Sequence, residues 1–444
     1  MKSTPKSQSG GRWIATSFGF LMLSLACVGS LMFLDGGGSW QTAARLEAAN
    51  LSAIEVSELV GTETYTKPAS RAPHSLLRAL AQTVKLPFSN LQNILSSQLP
   101  AALAPATQPS ETQSSLLSSL YTWQNATKKI ALGWIPYATP SETVQMIKDN
   151  PGITVISPKW LSLSSNTGSV SSSVQSSVVS YAHAHGVKVW ALFDNQFDAS
   201  LTHKVLQNVH TRLSLVNAVV QVAKTNHLDG LNVDFENVQS ADQTAFTSFI
   251  QELHQQLQPL HITLSVDITP DIVFLHDNAA FFHAGLASVC DYIIVMAYDE
   301  HWGGDQTPGP VADVPWVTSA VYDLLDTGVP SDKLILGLPF YARFWHIHSD
   351  GSVTSQAVAD GAVAGILQAH HATSSWNSAL GVAYARYPKS DGYEEVWYET
   401  TDTLARKLAL VNDEQLAGTA VWSLSLSDKQ TWSTMIQALR QTLS

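Results

Sequence analysis

With only two cysteines in 444 residues, a disulfide framework is excluded. Cys27 sits in an apolar N-terminal run and Cys290 lies just before a predicted strand, so no structural bridge is expected. Nowhere do Cys and His recur at zinc-ligand spacing. His183 and His185, in Tyr-Ala-His-Ala-His-Gly, and the adjacent His370 and His371 read as helix-surface or helix-end residues. Positive charge is also scarce. The 24 Lys and Arg face 36 Asp and Glu, giving a net charge of −12 and a pI near 5.6. This balance excludes nucleic acid or another polyanion as an electrostatically held partner and suits a neutral glycan. Apolar residues are plentiful at 45%, enough for a large core. The 13 Trp are unusually many. Most must be core, but sugar sites also use aromatic faces as stacking platforms, so several are candidates for a groove.

Lys2, Lys6 and Arg12 precede an uncharged stretch from Trp13 to Leu34. At roughly 22 residues it is long enough to span a bilayer as a helix. The basic flank would stay in the cytoplasm and place the rest outside. A cleaved signal peptide is the competing reading. Its apolar core is normally shorter and ends in an Ala-x-Ala-like site, and no such site follows Leu34. Residues 1–34 are therefore expected to be a single-pass cell-membrane anchor, with secretion after cleavage as the alternative. Residues 35–128 are rich in Ala, Ser, Thr, Gln and Pro and poor in aromatics. They read as a stalk or linker, with a short amphipathic helix around Leu76, Leu77 and Leu80.

From Lys128 the texture changes to short apolar runs alternating with amphipathic stretches, the pattern of repeated βα units. Candidate strands begin near Ile130, Val155, Val187, Gly230, Ile262, Tyr292, Leu334 and Gly418. Eight strands with intervening helices predict an α/β fold, a (β/α)8 TIM barrel over 129–444, with catalytic groups at the carboxyl ends of strands. The gap between the seventh and eighth strands, about 344–417, is too long for one loop. Strand-like runs at Ala383–Tyr387 and Glu395–Tyr398 make it a small α+β insertion walling one side of a cleft.

The most informative stretch is Leu-Asp-Gly-Leu-Asn-Val-Asp-Phe-Glu-Asn at 228–237. On a strand, Leu231, Val233 and Phe235 share one face, and Asn232, Asp234 and Glu236 share the other. A column of carboxylates inside a fold is costly. It is also one way to build a general acid, because each carboxylate raises the proton affinity of its neighbour.

This stretch resembles the active-site signature of glycoside hydrolase family 18, Asp-Gly-x-Asp-x-Asp-x-Glu. The matching positions are Asp229, Gly230, Asp234 and Glu236. Asn232 departs from it, standing where chitinases usually carry a third Asp. That variant is similar to the bacterial branch of spore-germination and cortex-lytic glycosidases. Val-Met-Ala-Tyr-Asp-Glu-His-Trp at 295–302, Gly309–Ala312, Pro315–Val317, Leu336–Arg343 and Ala420–Leu424 extend the resemblance over roughly 129–444. The chitinase Ser-x-Gly-Gly of the third strand is replaced by Trp-Ala-Leu-Phe-Asp-Asn-Gln-Phe at 190–197, again spore-type. The recurring Asn- and Gly-rich pattern of the LysM modules that many relatives carry is missing.

The resemblance implies a retaining, substrate-assisted glycosidase in which the 2-acetamido carbonyl attacks the anomeric carbon. It implies Glu236 as acid/base, Asp234 as the acetamide's partner and Tyr298 as a hydrogen-bond donor to it. Asn232 and Trp422 are implied at the sugar, with Trp422 as its floor, and Asp299 either holds the sugar or shapes the acid's environment. Asp267 is either a substrate contact or a buried structural acid. Arg343 meets either substrate or the insertion, and Asp194 and Asn195 either line the cleft or make a turn. Asn232 is expected to keep hydrogen bonding while removing charge. The implied substrate is a β-1,4-linked N-acetylglucosamine polymer, with peptidoglycan or spore cortex ahead of chitin. No metal, nucleotide or other cofactor is implied, and a monomer is expected. The rival reading is a glycan-binding barrel without catalysis.

Overall fold

The computed structural model describes residues 129–270 and 278–440. The expected anchor (1–34) and stalk (35–128) lie outside the described residues. Among the described residues, no helix is long and apolar enough to cross a membrane.

The chain opens with β1 (Ile130–Ile135) and β2 (Val155–Leu163), on which β3 (Val170–Ser172) lies as a short antiparallel partner. β4 (Lys188–Asp194), β5 (Gly230–Asp234), β6 (Thr263–Ile268), β7 (Tyr292–Met296) and β8 (Leu334–Pro339) follow. A second sheet intervenes, formed by β9 (Tyr341–His348), β10 (Val353–Ala359), β11 (Ser374–Asn377), β12 (Val382–Lys389) and β13 (Gly392–Tyr398). Finally β14 (Gly418–Trp422) pairs in parallel with β8 and with β1, and β1 pairs with β2. Eight parallel strands thus close a ring, each beginning within one residue of its predicted start. The match has a simple cause. Barrel strands are short apolar runs bounded by polar helix ends, so their starts are marked locally.

The alternation along β5 sorts the two cores. Leu231, Val233 and Phe235 are fully buried between the barrel wall and the surrounding helices. Phe235 packs its ring against Phe193, Phe249 and Phe246, with centroids 5.0, 5.6 and 6.1 Å away. The barrel interior is a separate cluster that includes Leu132, Trp134, Trp190, Leu192, Ile294 and Ile335. Gly230 is required by this filling, since a Cβ there would sit 2.5 Å from the Trp190 ring.

The second sheet is antiparallel, in the order β10-β9-β13-β12-β11. The helix Asp360–Ala369 covers one face through Val363 and Leu367. The insertion therefore runs from Tyr341 to Tyr398, shorter than the 344–417 set by spacing alone. Thr401–Asp413 is a barrel helix, started by a Thr400–Thr403 capping box, whose Leu404, Leu408 and Val411 join the main core.

Phe235→Ala is expected to lower unfolding free energy by about 3–5 kcal/mol, read by chemical denaturation; a loss below about 1 kcal/mol would contradict the packing described for this ring cluster.

Candidate active site

The inward face of β5 carries Asn232 and Asp234 in succession. Asn232 is fully buried and its amide is saturated. Its Oδ1 accepts from Trp134 Nε1 at 2.7 Å and Ser157 Oγ at 3.0 Å. Its Nδ2 donates to Ser265 Oγ at 3.0 Å and Asp267 Oδ1 at 2.6 Å. An Asp at 232 would lose both donations and set a second buried carboxylate against Asp267. Asn232 and Asp267, at 0% and 1% exposure, lie beneath the mouth. The sequence reading placed Asn232 at the sugar and left Asp267 as either a substrate contact or a buried structural acid; in the structure the Asn232 amide is engaged with protein groups, one of them Asp267.

Above this layer, Asp234 ends β5 in register with Asp194 at the end of β4. Lys159 pairs with Asp194 at 2.5 Å. Asp234 Oδ1 is buried and accepts no hydrogen bond from the protein, which leaves it available to a donor on a ligand. Burial, then the Asp194 charge, push the Asp234 carboxyl up to about 7, against the pull of Lys159. Burial and Asp234 also raise Asp267 well above the usual carboxylate range, opposed by hydrogen bonds from Asn232 and Trp134.

Glu236 lies two residues past β5 rather than within it. Its backbone is clamped by one buried side chain: Asn195 Oδ1 accepts from Glu236 N at 3.0 Å, and Asn195 Nδ2 donates to Glu236 O at 2.7 Å. Asn195 is held in turn by Thr202 Oγ1 at 2.9 Å. Tyr298, two residues past β7, meets Trp134 edge-on with centroids 6.3 Å apart, and Trp134 meets Trp422 at 6.1 Å. Burial first, then the charges of Asp234 and Asp267, hold the Tyr298 phenol well above its usual range. It is a neutral O–H donor throughout the working pH range.

On one flank, Tyr341 donates to Asp299 Oδ1 at 2.5 Å. Burial raises the Asp299 carboxyl, and this bond and Arg343 oppose the rise. Arg343 bonds Ser355 of the insertion at 3.2 Å, while its Nε is buried without a partner. Glu300 accepts from Asp313 N at 2.9 Å and is pushed up to about 8, first by burial and then by Asp313. Asp229 sits at the opposite, N-terminal end of β5. It accepts from Val189 N and bonds His183, both at 2.8 Å, and so fastens strand to helix. His185 bonds the Tyr181 carbonyl and His370 stacks on Tyr387.

The structure thus gathers Asp234, Tyr298 and Trp422 around one mouth, with Glu236 on the adjoining loop and Asp299 and Arg343 alongside. Sequence reasoning missed Trp134, Ser157, Lys159 and Tyr341. A lone Lys in the apolar β2 and a Trp on the inward register of β1 were the available signals.

The model of the family described as "Glycosyl hydrolases family 18" matches residues 133–428. The chain belongs to glycosyl hydrolases family 18. YdhD of Bacillus subtilis, named as a candidate sporulation-specific glycosylase, is 30% identical over 236 residues, covering 52% of this chain and 55% of YdhD. The cortical fragment-lytic enzyme of Bacillus anthracis is 21% identical over 251 residues, covering 55% of this chain and 57% of that protein. The chain thus spans little more than half the length of these relatives. The spore cortex-lytic enzyme SleL of Bacillus megaterium has the same fold, with a TM-score of 0.63 at 20% identity over 85% of this chain and 86% of that chain.

Two stability measurements probe the family 18 barrel's acidic column. Asn232→Asp is expected to cost about 1–3 kcal/mol for each partner left unsatisfied. The cost should grow as pH rises, because a buried carboxyl is tolerated only while protonated. Unfolded Asp ionises near pH 4, whereas folded Asp234 holds its proton to about 7. The folded state therefore binds the extra proton between these values and loses stability as pH rises through that window. Asp234→Asn should remove this loss, so variant minus wild-type stability should rise by a few kcal/mol from pH 4 to 7 in urea titrations. A flat difference would show that Asp234 titrates normally.

Proposed function

We propose that this family 18 barrel hydrolyses β-1,4 bonds in N-acetylglucosamine-containing polymers, peptidoglycan or spore cortex before chitin, with retention and assistance from the substrate's 2-acetamido group. One observation carries the reading: a buried, unpartnered carboxylate oxygen on Asp234 near the half-buried Tyr298, at the mouth where Glu236 is held. An acetamide offers an N–H for the first and a carbonyl for the second. Glu236 serves as acid to the leaving oxygen and then as base to water. Asp234 orients the N–H. The positive charge that develops on the oxazolinium favours the ionised form of Asp234, which stabilises it in turn. Trp422 lies under the sugar as a floor, and Asp299 and Arg343 bound the site on the insertion side.

Two further features support a glycan. Tyr137, Phe197 and Trp302 follow the carboxyl ends of β1, β4 and β7, and they are 80%, 61% and 55% exposed. Exposed aromatic faces on that rim are suited to stack pyranose rings. The acidic chain also disfavours polyanionic substrates. The uncharged run 13–34 behind a basic flank supports an exported enzyme tethered to the cell membrane.

The test is incubation with purified peptidoglycan and with chitin oligosaccharides, with products read by mass spectrometry. Wild type should generate new N-acetylglucosamine reducing ends, and Glu236→Gln should lose about 10²–10⁴-fold in kcat. Glycan binding without cleavage by either protein would replace the enzyme reading with a lectin-like one.

A further inference from the structure

The insertion carries a side-chain cluster that the cleft chemistry does not use. His346 and His348 lie two apart on β9 and so point to one face. Ala342 and Phe344 on that face pack with Val363, Leu367 and Val396 in the insertion's own core. Arg343, on the opposite face, is the residue that interacts with Asp299. The two histidines therefore continue the helix-covered face of the sheet, turned away from the site described above.

Asp391 reaches them from the turn between β12 and β13. Its Oδ1 lies 3.1 Å from His346 Nε2 and its Oδ2 lies 3.1 Å from His348 Nδ1. The turn is pressed against β9: Ser349 N donates to Asp391 O at 2.7 Å. The next residue, Gly392, has φ of +151° and would put a Cβ 2.0 Å from the Ile347 carbonyl oxygen. The carboxylate is thus held in place by backbone.

The rings of His346 and His348 stack with centroids 4.0 Å apart. The three ligand atoms all lie within 4.8 Å of one another. A tetrahedral ion with bonds of roughly 2.0–2.1 Å needs ligand atoms about 3.3 Å apart; each 3.1 Å spacing ends on a different carboxylate oxygen, so a small turn of Asp391 would bring one oxygen toward both rings. His346 Nε2 is buried yet makes no hydrogen bond of good geometry. His348 Nε2 lies 3.1 Å from Thr354 Oγ1. With Nε2–H directed at this outer partner, the Nδ1 lone pair could turn to an ion, replacing its present contact with Asp391. Asp391 is 57% exposed, so solvent reaches the remaining coordination position.

We propose that His346, His348 and Asp391 bind a divalent transition-metal ion, zinc by preference, which staples the β12–β13 turn to β9. Two imidazoles and one carboxylate form a borderline N,N,O set suited to zinc and its neighbours and poorly suited to calcium or magnesium. The ion's role is structural, since it lies on the sheet face away from Asp234 and Glu236.

The test uses the full chain, stripped with chelator and titrated with Co2+ alone and with Zn2+ alone. One equivalent of Co2+ should give the intense visible absorption of a low-coordinate site, and Zn2+ should abolish it. The melting temperature should keep rising with Zn2+ beyond saturation, as binding linkage requires. His348→Gln and Asp391→Asn, both at exposed or half-exposed positions, should keep the metal-free melting temperature and lose at least tenfold in affinity. Thr354→Val should weaken binding by about 10-fold or more through His348. Failure of the wild type to take up Co2+, or equal uptake by the two ligand variants, would overturn the proposal. Because the readouts are spectroscopic and thermal, the outcome is independent of whether the barrel cleaves glycan.

Discussion

Everything at the mouth of this barrel rests on the four hydrogen bonds of Asn232. One amide connects β1, β2 and β6 to β5 across the barrel interior, through Trp134, Ser157, Ser265 and Asp267. A barrel core is normally filled by branched apolar side chains in layers. Here the layer under the site is polar, and it is tolerated because each Asn232 atom has its partners. An amide can both give and take hydrogen bonds; a carboxylate at the same point could only take. The departure from the family signature is therefore a change of bonding pattern. It keeps Asp267 satisfied and leaves the charge one step higher, at Asp234.

That displacement sets the electrostatics of the site. Asp234, half-buried with its Oδ1 enclosed, sits next to Asp194, whose own charge is compensated by Lys159. Low polarizability and a like neighbour both favour the protonated form. The same surroundings make the Tyr298 phenol a dependable donor. Glu236 is treated differently. Asn195 fixes its backbone through both N–H and C=O, so its position is set by the loop leaving β4 as well as by β5.

Much of this was legible in the sequence, and the reasons differ by feature. Strand starts and the inward column Asn232–Asp234 follow from local periodicity, so they could be read directly. The second sheet showed in its aromatic runs, but its end did not. Thr401–Asp413 looks like any amphipathic helix until its Leu404 and Leu408 are seen in the barrel core. Asp267 could be read either way from sequence, because only the tertiary contact with Asn232 tells a structural acid from a substrate contact. Trp134, Asn195 and Tyr341 act through partners many residues away, and no spacing rule reports that. The histidines of β9 escaped for the same reason, since their third member belongs to a turn more than forty residues later.

The closure of the ring passes from β8 to β14 and never through the second sheet. Residues 341–398 are thus an appendage to a finished scaffold. The height of the wall beside the barrel mouth and the chemistry below it can vary separately. If the mouth holds a glycan as proposed, a taller or shorter wall would decide whether it accepts the middle of a chain or its end, with no change in the acidic column. On the proposed glycosidase reading, the choice of where to cut a polymer is a modular trait, while the ability to cut it belongs to the closed ring.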